Sequence, residues 1–247
     1  MEEPLPIRIL IHGASGRMGR ALARAIEAAG HEAAGGVGRG GDVAGLADRS
    51  DVLLDFSAPA ALDANLHAAV GAGIPILIGT TGLEEKHHAA LDSAGGAIPV
   101  LQTGNTSLGV TLLAHLVREA ASKLGPEWDV EVLEMHHRMK VDAPSGTALL
   151  LGEAAAEGRG VDFYAPNSPA RHGHTGAREQ GTIGFASLRG GTVAGEHSVI
   201  LAGDQERLVL SHSAEDRMIF AHGAVRGAAW LVGQPAGRYT MGQVLGL

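Results

Sequence analysis

Residues 134–148 read EMHHRMKVDAPSGTA, which crowds His136, His137 and Lys140 against a Pro144-Ser145-Gly146 turn. Three kinds of chemistry fit such a cluster. The first is metal binding, but neighbours on a strand point to opposite faces. The chain also has no cysteine and no HExxH run to complete a tetrahedral set. His172 and His174 are further candidate ligands, in a segment (159–181) that reads as a flexible loop. The second is a plain solvated basic strand end. The third is proton transfer with anion binding, since histidine titrates near neutrality and a partly desolvated lysine holds or releases a proton. No metal site is expected, and the third reading is the strongest.

Composition narrows the classes. At 247 residues the chain can bury one large core or two modest ones. Aromatics are only 3%, so packing must rest on Ala, Val, Leu and Ile. A net charge of −8 argues against a nucleic-acid footprint, while leaving room for a local basic cluster around a small anion. Absence of cysteine removes disulfides and every Cys-nucleophile route, and fits a reducing cytoplasm. The start, MEEPLP, is acidic and does not look like a signal peptide. No apolar run reaches the roughly 18 residues of a membrane helix. A soluble, cytoplasmic protein is expected.

The elements that must carry the cluster follow from periodicity. IRILIH (7–12) is a β-branched run, GASGRMG follows, and RALARAIEAAG reads as a helix closed by Gly30. This is the opening unit of a dinucleotide-binding fold. Gly13 permits the sharp turn, Gly16 admits a pyrophosphate, and Gly19 allows close helix–strand packing. The spacing is GxxGxxG rather than GxGxxG, so a turn used only for packing is the plain alternative. DVLLDF (51–56), IPILIG (74–79) and IPVLQ (98–102) continue as strands, with helical segments at 60–72 and 84–94 between them. Such alternation argues for a parallel, doubly wound sheet, whose ligands sit at the carboxyl ends of its strands. Three polar turns fall there: Ser57-Ala58-Pro59, Gly79 to Gly82 and Thr103 to Thr106. Around the second strand (31–41) the tip reads Val37-Gly38-Arg39-Gly40, with an arginine and no carboxylate, which leans towards NADPH over NADH.

Beyond residue 106 the pattern changes. A helix over 107–125, capped by Ser107 and closed by Gly125, precedes an alternating strand over 128–135. A helix over 147–158 begins at the Pro-Ser-Gly turn, so its N-terminus faces the His-His-Lys run and suits a carboxylate. Strand-like segments crowd 182–214, and 217–233 returns to helix. A run of strands after βα alternation indicates a second, open-sheet domain. The expected organisation is α/β: a Rossmann-like dinucleotide-binding domain (1–106 and 217–247) and an α+β substrate and tetramerisation domain (107–216). Hinges are expected near 105–107 and 214–217.

The motifs EMHHRMKVDAPSGTA, GASGRMG, DFSAP, GTTG, GNTSLG, HTGAREQGTIGFASLRGG, VAGEHSV and FAHGAVRGAAWLVG resemble, in order and over essentially the whole chain, the dihydrodipicolinate reductase family. The resemblance implies an NADPH- or NADH-dependent reduction of a cyclic dicarboxylate imine, with loss of water, in diaminopimelate and lysine biosynthesis. It implies that His136 is a proton donor and acceptor and Lys140 a proton donor. By the same resemblance His137, Gly146 and Thr147 bind the substrate. The cofactor residues it implies are Gly13, Ala14, Ser15, Gly16, Arg17, Met18, Arg39, Gly79, Thr80, Thr81, Thr103, Gly104, Asn105 and Thr106. A homotetramer, built through the second domain's sheet, is the implied assembly. Two positions depart from the family pattern: Gly38 stands where an acidic residue is common, and Thr106 where a larger apolar residue is. A tyrosine-based short-chain dehydrogenase fails, because Tyr164 and Tyr239 are followed four residues on by Ser168 and Gln243. A nucleotide-sensing module without turnover, or an enzyme acting on another carboxylated imine, remains as an alternative.

Overall fold

The computed structural model describes residues 5–38, 40–163 and 173–247. The chain divides into two compact units, one running to Leu108 and resuming over Met218–Leu247, the other Gly109–Arg217.

In the first unit β1 (Arg8–His12), α1 (Arg17–Ala28), β2 (Glu32–Val37), α2 (Ala44–Ala47) and β3 (Val52–Asp55) follow one another. They lead to α3 (Leu62–Ala72), β4 (Ile76–Ile78), α4 (Glu85–Gly95) and β5 (Pro99–Gln102). The second unit takes up α5 (Leu108–Lys123), β6 (Asp129–His136), α6 (Gly146–Arg159), β7 (Ile183–Arg189), β8 (Gly195–Gly203) and β9 (Glu206–Ala214). The chain then closes with α7 (Met218–Leu231), β10 (Gly237–Tyr239) and α8 (Met241–Val244).

The first sheet is wholly parallel, in the order β10-β5-β4-β3-β1-β2. Its central strands are continuous apolar runs because both faces are covered. Ile9, Ile11, Leu54 and Leu77 pack with α1, α7 and α8 on one face. Leu10, Leu53, Ile76 and Ile78 pack with α3 and α4 on the other. Strand β10 has no counterpart in the sequence reading: three residues, Gly-Arg-Tyr, are too short to show a period, and only pairing with β5 makes them a strand.

The second sheet is mixed, in the order β7-β6-β8-β9, with β7 parallel to β6 and the other pairs antiparallel. β6 alternates strictly, and Val130 and Val132 join Val199 and Leu201 beneath α5 and α6. Helix α5 stops at Lys123, two residues before the expected Gly125. Gly125 does not take a left-handed φ. Pro126 follows it, which disfavours helical backbone at the preceding residue and ends the helix without a glycine cap.

Candidate functional site

In the first unit, the turn after β1 is shaped by missing side chains. Gly13 has φ +93°, and a Cβ there would collide with the Phe56 carbonyl. A Cβ at Gly19 would strike the backbone of Gly13 and Ala14, so only glycine lets α1 sit against this turn. Gly16 caps α1 with extended backbone and no side-chain cap, so the first-turn N–H groups of Arg17 and Met18 stay available to an anion. A cavity of about 640 Å³ opens here, lined by His12, Gly13, Ser15, Gly16, Gly40 and Ser57 among others. It lies at the carboxyl ends of β1 and β3, where the strand order reverses. Volume, bare backbone and unspent N–H groups together fit a dinucleotide.

Two neighbouring turns are tied to this cradle. Asp55 is fully buried, and its Oδ1 accepts from Ser57 N (3.0 Å), Ser57 Oγ (2.5 Å) and Thr80 Oγ1 (3.1 Å). One carboxylate thus locks the turn after β3 to Thr80, beside Gly79 and the exposed Thr81. In the third turn Thr103 Oγ1 donates to Asn105 O and accepts from Asn105 N, a self-contained fold around Gly104. Thr106 is buried and its hydroxyl donates to Phe220 O (2.7 Å), so that side chain holds the start of α7. Arg39 lies outside the described residues.

The second unit holds the His-His-Lys run, and β6 explains its form. The face that buries Val130 and Val132 continues as Glu134 and His136, so the apolar core gives way to a buried polar pair at the strand's end. His136 is the last strand residue, and His137 begins a turn in which Lys140 N donates to His137 O (3.1 Å). That turn is why lysine follows the second histidine at three residues' distance. Lys140 is mostly buried and pairs with Asp142 (2.9 Å). The chain then passes a cis Ala143–Pro144 bond and enters α6 at Ser145. Gly146 and Thr147 form the first turn of this helix, and a side chain added at Gly146 would meet nothing within 4 Å.

Glu134 organises the centre. It accepts from His136 Nδ1 (2.5 Å), from Ser145 N (3.2 Å) and from both terminal nitrogens of Arg189 (2.8 Å each). Burial opposes its ionisation, but the hydrogen bonds from Arg189, His136 and Ser187 outweigh it and hold its pKa down to about 2. Glu134 is therefore an anion at neutral pH, and it points Nε2 of His136 away from itself. A Cβ on Gly195 would come within 3.1 Å of that nitrogen, so β8 closes on the ring through a glycine. His197 stands edge-on to His136, ring centroids 5.1 Å apart. Its Nε2 meets Ser145 Oγ (3.1 Å), which also accepts from Ala148 N as the cap of α6. Burial, and then the charge of His136, push the His197 pKa down to about 4, so it is a neutral spacer. Desolvation first, then the charges of Arg217, His136, Lys140 and Arg189, push His137 down as well.

The structure thus gathers His136, His137, Lys140, Gly146 and Thr147 at one end of the second sheet, and the glycine turn, Thr80 and the Ser57 turn at one edge of the first. Sequence reading assigned no role to Glu134, Arg189 and His197, although all three stand in the motifs quoted above. Their partnership spans up to 55 residues and depends on β6–β7 and β6–β8 register, which no local pattern carries. Among the described residues no group of His, Asp or Glu is placed to hold a metal ion, and His172 lies outside them. No described helix is long and apolar enough to cross a membrane.

Residues 7–106 match the family described as "Dihydrodipicolinate reductase, N-terminus", and residues 109–245 its C-terminus. The 4-hydroxy-tetrahydrodipicolinate reductase of Zymomonas mobilis is 52% identical over 254 residues, covering 100% of both chains. That of Rhodopseudomonas palustris (strain HaA2) is 50% identical, covering 98% of each. The fold is similar to a dipicolinate-bound dihydrodipicolinate reductase from Paenisporosarcina sp. TG-14, with TM-score 0.74 at 22% identity, over 96% of this chain and 98% of that one.

Proposed function

The chain belongs to the dihydrodipicolinate reductase family, and on that premise we propose that it reduces 4-hydroxy-tetrahydrodipicolinate to tetrahydrodipicolinate with loss of water. This is a step of diaminopimelate and lysine biosynthesis. The observation that carries the reading is the buried Glu134–His136 contact beside the Lys140 turn and the first turn of α6.

When bound, a nicotinamide cofactor would supply a hydride to the conjugated imine that forms once the 4-hydroxyl has left the ring as water. The protein's own part is to bind, orient and move protons. His137 and the first-turn N–H groups at Gly146 and Thr147 receive the substrate carboxylates. Lys140 exchanges Asp142 for the substrate and delivers the proton that quenches the electron density left after reduction. His136, fixed through Nδ1 by an anionic partner, accepts or returns a proton at Nε2. Dipicolinate, which the Paenisporosarcina protein holds, is a ring with two carboxylates of the kind this site suits.

The residues from Gly13 through Met18, with Gly79 to Thr81 and Thr103 to Thr106, hold the cofactor. Gly38 and Arg39 offer no carboxylate to a ribose hydroxyl, which favours NADPH over NADH. The protein works in the cytoplasm as a homotetramer. Strand β9, an edge with Leu208 and Val209 exposed, is the surface that fits this assembly.

The test is a coupled assay in which a synthase makes the unstable substrate in place while oxidation of NADPH and NADH is followed in parallel. Substrate-dependent oxidation, faster with NADPH, is expected. Absence of oxidation with either nucleotide, in folded protein that binds them, overturns the assignment.

A further inference from the structure

The residue just ahead of the glycine turn has no role in any reading above. His12 closes β1, is only 7% exposed, and still lines the cavity at the strand ends. Its side chain lies on the same face as Leu10, above α3, where Nδ1 meets Asn65 Oδ1 at 2.6 Å. Asn65 is fully buried, and its amide nitrogen has no partner. With Nδ1 engaged, Nε2 is the ring's remaining polar atom, in a side chain that lines the cavity.

The contact itself decides which tautomer the ring adopts. An amide oxygen only accepts, so Nδ1 of His12 carries the proton and donates to Asn65 Oδ1. Nε2 is then the acceptor of the ring. A ring held in this way is a fixed acceptor rather than a packing group.

We propose that His12, oriented by Asn65, is a cofactor-positioning residue whose Nε2 accepts a hydrogen bond from a ribose hydroxyl in the diphosphate-ribose portion of the bound dinucleotide. Its neighbours in the cavity wall, Gly13, Ser15 and Gly16, present backbone and hydroxyl to the same portion. The proposal rests on the cofactor part of the function above, and it needs no turnover to be tested.

The experiment is an equilibrium titration of NADPH and NADH by nicotinamide fluorescence, without substrate, on the parent chain and three variants. His12→Phe keeps the ring volume and loses the acceptor, so about tenfold weaker binding of both nucleotides is expected. His12→Gln places an amide oxygen near the Nε2 position and is expected to bind within about threefold of the parent. Asn65→Leu removes the orienting partner and is expected to fall between them. Parent-like affinity in His12→Phe overturns the assignment. Equal loss in the Phe and Gln variants, both shown folded by thermal melting, overturns it in favour of simple packing. If His12→Phe does not fold, His12→Ala replaces it, with the same expected loss and the same overturning result. A parent that binds neither nucleotide overturns the cofactor site itself, and His12 with it, whereas binding without turnover contradicts only the reaction.

Discussion

Glu134 decides what His136 can do. With Arg189 on both oxygens, the carboxylate stays ionised, and its contact at Nδ1 leaves Nε2 as the nitrogen for the proposed proton transfer. Glu134→Gln keeps the shape and loses the charge. It is expected to lower kcat by about tenfold or more, with nucleotide affinity unchanged, in steady-state assays paired with fluorescence titration. Unchanged kcat would remove Glu134 from the mechanism. His197 belongs to the same scale. Its folded pKa is about 4 against an ordinary 6.5, so the unfolded chain takes up its proton first as pH falls. The stability it contributes is complete above pH 6.5 and is lost as pH falls from 6.5 to 4. Glu134, at about 2 against 4.5, adds a further loss from 4.5 downwards. Urea melts across this range are expected to show both declines, and His197→Gln to shrink the upper one to what His137 and His212, also held below the ordinary value, contribute.

At the scale of elements, the first turn of α6 and the turn after β1 are the two pieces most sensitive to a single atom. Ser145 caps α6, touches Glu134 through its N–H and His197 through its hydroxyl. Ser145→Ala is expected to cost about 1 kcal/mol of stability by denaturant melting, the usual scale for a lost cap. It should also raise KM for substrate, since Gly146 and Thr147 hang on that cap. Gly13→Ala is expected to abolish nucleotide binding, because the left-handed φ and the Phe56 carbonyl both reject a Cβ. These two turns were legible in the sequence because their signals are local: a glycine run between strand and helix, and Pro-Ser-Gly before an alanine-rich helix. Strand β10 was not legible, since three residues acquire strand character only from β5. The roles of Arg189 and His197 were hidden for the same reason. Each reaches the site through sheet register, and a residue's type says nothing about its partner across a neighbouring strand.

For the whole molecule, charge and surface set the expectations. The chain carries −8 overall, yet Lys140, Arg189 and Arg217 all act on His137, so positive potential is concentrated at the proposed dicarboxylate site. Substrate KM is therefore expected to rise with ionic strength, while an uncharged control ligand is unaffected. Sedimentation velocity is expected to give a species of four chains, and a charged substitution at Val209 to shift it to smaller ones; a monomer in the parent would contradict the proposed assembly.

The central claim is that one polar strand end, His136 to Lys140, supplies the protons for imine reduction. It is tested most directly by running the coupled assay on the parent and Lys140→Ala side by side, with nucleotide affinity measured on both. Substrate-dependent oxidation in the parent, falling at least about a hundredfold in the variant at unchanged nucleotide affinity, is the expected result. Near-parental turnover in Lys140→Ala would contradict the claim.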